Sequence, residues 1–169
     1  IFPMHERLVA ALDKHVAGLE ILYVDDGSAD SSWEKISELA TRDQRVRGVR
    51  FARNFGHQTA LTAGVDGARG RAVVIIDGDM QDPPEVIPEM VDRWRDGFEV
   101  VYGQRENREG ETWFKLVTAS AFYRILRGIT HVDIPVDTGD FRLMGPRAVA
   151  AFRAMPERNR FIRGLVSWI

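Results

Sequence analysis

Hydrophobic and polar positions change period several times along the chain, and the changes divide it into alternating helices and strands. Residues 4–17 carry apolar side chains at helical spacing and predict an amphipathic helix. Glu20 to Val24 is a short β-rich apolar run that stops at Asp25-Asp26-Gly27-Ser28, as a strand does on entering a turn. Ser31, with Glu34 three residues on, predicts a capping box and a helix to about Arg42. Val46 to Phe51 predicts a second strand. A helix from about His57 to Ala68 follows, weakened by Gly64 and Gly67. Ala72 to Ile76 is unbroken and apolar, as expected of a strand buried on both faces, and it ends at Asp77-Gly78-Asp79. Asp82-Pro83 predicts a helix start with Asp82 as N-cap and Pro83 in the first position. Phe98 to Tyr102 predicts a fourth strand, and Thr112 to Gly128 a long apolar-rich helix. Such alternation predicts an α/β fold, a mostly parallel sheet with helices on both faces.

Composition narrows the function classes. At 169 residues the chain has the length of one domain, and no repeat or linker divides it. Hydrophobic residues at 44% and charged residues at 28% exclude a disordered tail or a fibre. The absence of cysteine excludes disulfides, thiolate nucleophiles and cysteine zinc sites. No apolar run approaches the roughly 18 residues of a membrane span, and no signal-peptide pattern opens the chain. A net charge of −2 argues against a nucleic-acid partner, but the charge is uneven. Asp77 to Glu99 holds eight acidic residues against Arg93 and Arg95. Asp140 to Ile169 holds six arginines against Asp140 and Glu157. Two solvated surfaces would explain this, and so would an acidic metal site beside a basic surface that meets phosphates.

In sheets of this kind ligands bind beyond the carboxyl ends of the strands. Two predicted strands end there in paired carboxylates, Asp25-Asp26 and Asp77-x-Asp79. Each alone reads as a turn former. Together they repel one another unless a cation bridges them, and hard cations such as Mg²⁺ or Mn²⁺ take oxygen ligands of this type. Gln81 stands close behind as a further oxygen ligand.

Six segments carry a resemblance: VDDGSADSS (24–32), FARNFGHQTALTAGVDGA (51–68), IIDGDMQDPPEVIPEM (75–90), VYGQR (101–105), DTGDFRLM (137–144) and ERNRFIRGL (157–165). In order and spacing they resemble family 2 glycosyltransferases of the GT-A fold. More narrowly they are similar to the polyisoprenyl-phosphate type, the bactoprenol glucosyltransferase group, with dolichol-phosphate mannose synthase more distant. The resemblance implies a Rossmann-like GT-A domain over residues 1–169, whose first strand and C-terminal membrane segment lie outside the chain. It implies inverting transfer of a sugar, glucose from a uridine diphosphate donor as the first choice, to a polyprenyl phosphate. Mannose, a modified arabinose and other hexoses stay open.

The resemblance also implies roles. Asp25 and Asp26 are expected on the nucleotide. Asp77 and Asp79 are expected to hold Mg²⁺ or Mn²⁺ against the donor diphosphate, with Gln81 as a further ligand. Arg105 and Arg142 are expected on donor or acceptor phosphates, and Asp140 as the catalytic or acceptor-orienting carboxylate. Arg158 and Arg160 belong to a basic segment at the site's mouth; a solvated helix face is the alternative for them and for Arg163. His57 is read as a helix-start or packing residue, and His5, His15 and His131 receive no role. Trp113 to Leu126 reads either as a core helix or as an interfacial one with aromatics in the lipid headgroups. The expected partners are a nucleotide sugar, a polyprenyl phosphate lipid, the membrane surface and, as an option, a second copy of the chain. The full-length protein is expected to be membrane-anchored on a cytoplasmic face, that of a bacterial inner membrane. A soluble family 2 enzyme acting on a sugar hydroxyl is the alternative, and a non-catalytic nucleotide binder a weaker one. A haloacid-dehalogenase-like phosphatase also places Asp-x-Asp after a strand, but Gln81 stands where that chemistry wants Thr or Val.

Overall fold

The computed structural model describes residues 1–104, 138–157 and 160–169. Helix α1 (Phe2–Leu12), strand β1 (Ile21–Asp25), α2 (Ser32–Arg42), β2 (Val46–Arg50), α3 (His57–Gly67) and β3 (Val73–Ile75) alternate as the hydrophobic pattern predicts. A 3₁₀ turn at Pro84–Val86 leads into α4 (Ile87–Arg95), then β4 (Val100–Gln104), β5 (Thr138–Met144), α5 (Pro146–Ala154) and α6 (Ile162–Trp168). The predicted helix 112–128 lies outside the described residues. Among those described, no helix is long and apolar enough to cross a membrane.

Local chemistry moves some boundaries. The buried stripe Met4, Leu8, Leu12 of α1 would continue to Val16, but the chain turns after Leu12 and His15 meets Asp92 of α4 at 3.0 Å. The capping box does not form at Ser31, whose side chain caps nothing; Asp30 Oδ1 instead accepts the Ser32 N–H at 3.0 Å. Nor does a helix start at Asp82-Pro83. Pro83 is extended because the residue before a proline is pushed out of the helical region, so the first turn waits for Pro84.

The sheet corrects the expected strand direction. β1 and β2 pair in parallel, from Ile21 opposite Val46 to Asp25 opposite Arg50. β5, however, lies between β3 and β4 and runs antiparallel to both. The described strands therefore form two sheets, a parallel pair β1–β2 and an antiparallel trio in the order β3–β5–β4, for a physical reason: an unbroken apolar run reports burial on both faces, and burial is blind to a neighbour's direction. Helices do cover both faces. Phe141 and Leu143 of β5 join Met4, Leu8, Ile87 and Met90 in one apolar cluster. Met144 joins Val65, Phe152, Ile162 and Val166 in the other. The two-residue period of a strand then puts Asp140 and Arg142 on Met144's side, toward α3 and α6.

Between β1 and β3 lies a cavity of about 1260 Å³ with apolar walls that include Leu22, Val24, Val74 and Ile76. Asp26, Asn54, His57 and Asp77 form its polar end. The carboxyl ends of β1 and β3 therefore open on the same space, which is where an α/β sheet binds its ligands.

Candidate functional site

Three loops and two helices converge on this polar end. The first loop leaves β1. Asp25 is 4% exposed; its Oδ1 accepts the Ser28 N–H at 3.1 Å and its Oδ2 lies 3.5 Å from Arg50 Nε. That makes Asp25 a turn-closing group inside the fold, next to the Asp26 that lines the cavity. Asp26 reaches across to the loop after β2, where Oδ1 accepts the Phe55 N–H at 2.7 Å and Oδ2 the Gly56 N–H at 2.9 Å. Its carboxylate thus fastens the entry to α3 while lining the cavity.

Gly27 lets the two loops interlock. It takes φ +71°, and a Cβ there would stand 2.4 Å from the Arg53 carbonyl carbon. Gly27→Ala is expected to destabilise the protein by about 2 kcal/mol or more, from a left-handed backbone and a backbone clash together. Urea denaturation checks this, and a loss under about 0.5 kcal/mol would show that the loops are free to separate.

The second carboxylate pair follows β3. Asp77 is half-buried and Asp79 turns back, its Oδ1 accepting the Gln81 N–H at 3.0 Å. Met80, between Asp79 and Gln81, takes φ +69°, a left-handed conformation costly for a side chain with a Cβ. Burial pushes the Asp77 carboxyl above its ordinary 3.8; the nearby His57 ring opposes this, and Asp140, Asp79 and Asp82 add to it. A carboxylate so surrounded gains from a cation. The donor set fits a hard divalent ion, since Mg²⁺ bound together with phosphates typically uses one or two carboxylates. Among the described residues no group of three or more His, Asp or Glu converges as a ready-made metal cage.

Asp140 is almost as enclosed as Asp25, with only 3% of its side chain exposed. Arg163 of α6 grips it with two bonds, Nε to Oδ1 at 2.9 Å and Nη2 to Oδ2 at 3.1 Å. His57 Nε2 lies 3.0 Å from Asp140 Oδ2 and 3.9 Å from Asp77 Oδ1. Burial alone would raise the Asp140 carboxyl, but hydrogen bonds from Arg163 and His57 and the charges of Arg163 and Arg142 hold it below its ordinary value. An acid held ionised in this way orients its partners and makes a poor proton acceptor.

Arg142 is fully buried: Nη2 donates to Gly139 O at 2.9 Å, and the guanidinium lies 5.3 Å from the Tyr102 ring centre. Arg160 is engaged further from the cleft. It donates to Met155 O at 2.7 Å and meets Asp66, nine residues along α3 from His57 and thus about 13 Å up the helix axis. Arg105, Arg158 and the Trp113 to Leu126 stretch lie outside the described residues. The structure thus brings together Asp26, Asp77, Asp79 and Asp140 with two residues left out of the expected site, His57 and Arg163. A weak signal for His57 was present, because the first residue of a helix that follows a strand end sits at a ligand-binding edge.

The model of the family described as "Glycosyl transferase family 2" matches residues 4–151. The uncharacterized glycosyltransferase YkcC of Bacillus subtilis (strain 168) is 50% identical over 169 residues, 100% of this chain and 52% of its own length. An uncharacterized glycosyltransferase of Synechocystis sp. is 44% identical over 163 residues, 96% of this chain and 51% of its own length. The prophage bactoprenol glucosyl transferase homolog of Escherichia coli (strain K12) is 41% identical over 151 residues, 89% of this chain and 49% of its own length. The chain spans about half the length of the curated relatives it matches.

Proposed function

The chain belongs to glycosyl transferase family 2, and on that footing we propose that it transfers glucose from a nucleotide diphosphate donor, uridine diphosphate glucose as first choice, to a polyprenyl phosphate. The observation that carries the reading is the state of Asp140. A sugar hydroxyl acceptor needs a base to remove its proton, and Asp140, gripped by Arg163 and His57 and held ionised, is poorly suited to that work. A lipid phosphate needs no base, because its second ionisation lies near pH 6 and it meets the sugar already as an anion. Relatives named bactoprenol glucosyl transferase support the same acceptor class.

One of the lipid phosphate's oxygens bonds to the anomeric carbon as the bond from that carbon to the donor diphosphate breaks. The electron pair leaves with the nucleoside diphosphate, and no proton moves. Asp140 is enclosed and fully engaged, which supports a single displacement with inversion over a glycosyl-enzyme on that carboxylate. Asp77 and Asp79 would hold Mg²⁺ or Mn²⁺, which would stabilise the charge gathering on the leaving diphosphate. Asp26 braces the loop that leads to His57 and would face the donor from there. Arg163 stands beside the site with part of its side chain exposed, placed to favour phosphate charge. A lipid acceptor brings the site to a membrane surface.

The test offers the purified protein a radiolabelled nucleotide sugar with polyprenyl phosphate and water-soluble glycans together. Label is expected in the organic extract. Label confined to a water-soluble glycan would reject the lipid acceptor and favour the hydroxyl-acceptor enzyme.

A further inference from the structure

The fold goes to some length to place residue 57. Asp26 fastens the two backbone N–H groups just ahead of it, and Gly56 adopts φ +97° to let the chain turn into α3. The imidazole then lies between two carboxylates on separate elements, Asp140 of β5 and Asp77 after β3. Asp140 as an ionised carboxylate only accepts hydrogen bonds, so Nε2 carries the proton and donates it. With Arg163 holding the opposite side of Asp140, the ring is locked against a buried, immobile partner. Half of the His57 side chain is exposed toward the cleft, while Asp140 is sealed. The ring thus lies 3.0 Å from Asp140 Oδ2 and 3.9 Å from Asp77 Oδ1.

We infer that His57 is a positioning residue for the cation site: its ring, anchored on the buried Asp140–Arg163 pair and standing 3.9 Å from Asp77 Oδ1, walls one side of the Asp77 carboxylate, limiting the directions Asp77 presents and keeping Asp140 out of the ligand set. The inference rests on the reading of Asp77 and Asp79 as cation ligands. Outer groups that orient a metal-ligating side chain are typically worth about 10- to 100-fold in metal affinity.

The experiment measures Mn²⁺ binding to the purified protein in the presence of uridine diphosphate, from the loss of the free-ion paramagnetic resonance signal. His57→Ala is expected to weaken binding by about tenfold or more. His57→Gln carries an amide N–H near the Nε2 position and is expected to stay within about threefold of the original protein. His57→Asn, whose amide falls short of that position, serves as the disrupting variant if His57→Ala does not fold. Unchanged Mn²⁺ affinity in the disrupting variant would overturn the inference, as would a His57→Gln protein as weak as His57→Ala. An original protein that binds no Mn²⁺ would instead overturn the cation reading of Asp77 and Asp79, and the inference with it.

Discussion

Asp77→Asn is expected to lower sugar transfer by roughly 10²- to 10³-fold, the usual scale for removing one group that stabilises transition-state charge, and to leave the protein as stable as before or more so. The two halves have one cause. The Asp77 carboxyl is raised by burial and by Asp140, Asp79 and Asp82, so its ionised form is less favourable in the fold than in the unfolded chain. A raised acid is best tolerated at low pH, and its penalty grows as the pH climbs through the ordinary 3.8 toward the folded value. At neutral pH the penalty is complete, and the neutral amide removes it. Stability yielded to function in this way is common in active sites. Transfer assays with and without divalent cation, beside thermal melts of both proteins, check the pair of outcomes. A variant that keeps its divalent-dependent rate, or melts many degrees lower, would show that Asp77 serves the fold and not the reaction.

Asp140→Ala has the opposite signature. Removing this carboxylate strands the fully buried Arg142 and the partly buried Arg163, and breaking one partner of a buried ion pair costs about 3 kcal/mol or more. Transfer should fall as well, since His57 loses the partner that orients it. The pH dependence follows from a carboxyl held below its ordinary value. Its contribution is complete above 3.8 and is lost as the pH falls through the lower folded value. Urea midpoints at neutral pH and at pH near 3 measure both effects, with the slope of the transition checking that the unfolded state is unchanged. A loss below about 1 kcal/mol at neutral pH would mean that the two arginines find solvent or other acceptors without Asp140.

Much of the architecture was legible in the hydrophobic pattern, because α1, α2, β1, β2, α3 and β3 each bury a stripe or face of the expected period. Strand direction was not. TGDFRLM of β5 is buried almost throughout with an aspartate and an arginine inside it, and neither periodicity nor composition reveals an antiparallel insertion between β3 and β4. The Asp77-x-Asp79 turn was legible because its acids lie two residues apart. The Asp140 cluster was not, since His57 stands 83 positions before Asp140 and Arg163 stands 23 after it. Choosing among Arg160 and Arg163 also needed the fold. The two differ by three positions in the chain, yet Met155 O and Asp66 hold one while Asp140 captures the other. The burial of Asp25 and Arg142 was not legible either, because a charged group beside a strand end serves equally well to meet a ligand, close a turn or neutralise a buried neighbour.

The central claim is that the bond formed joins a sugar's anomeric carbon to a lipid phosphate oxygen at the carboxyl ends of β1 and β3. Phosphorus-31 resonance of polyprenyl phosphate incubated with the protein, Mg²⁺ and uridine diphosphate glucose tests it most directly. The lipid's monoester signal is expected to give way to a diester signal, with nucleoside diphosphate released in equal amount and neither change seen with Asp77→Asn. Nucleoside diphosphate released while the lipid stays a monoester would contradict it.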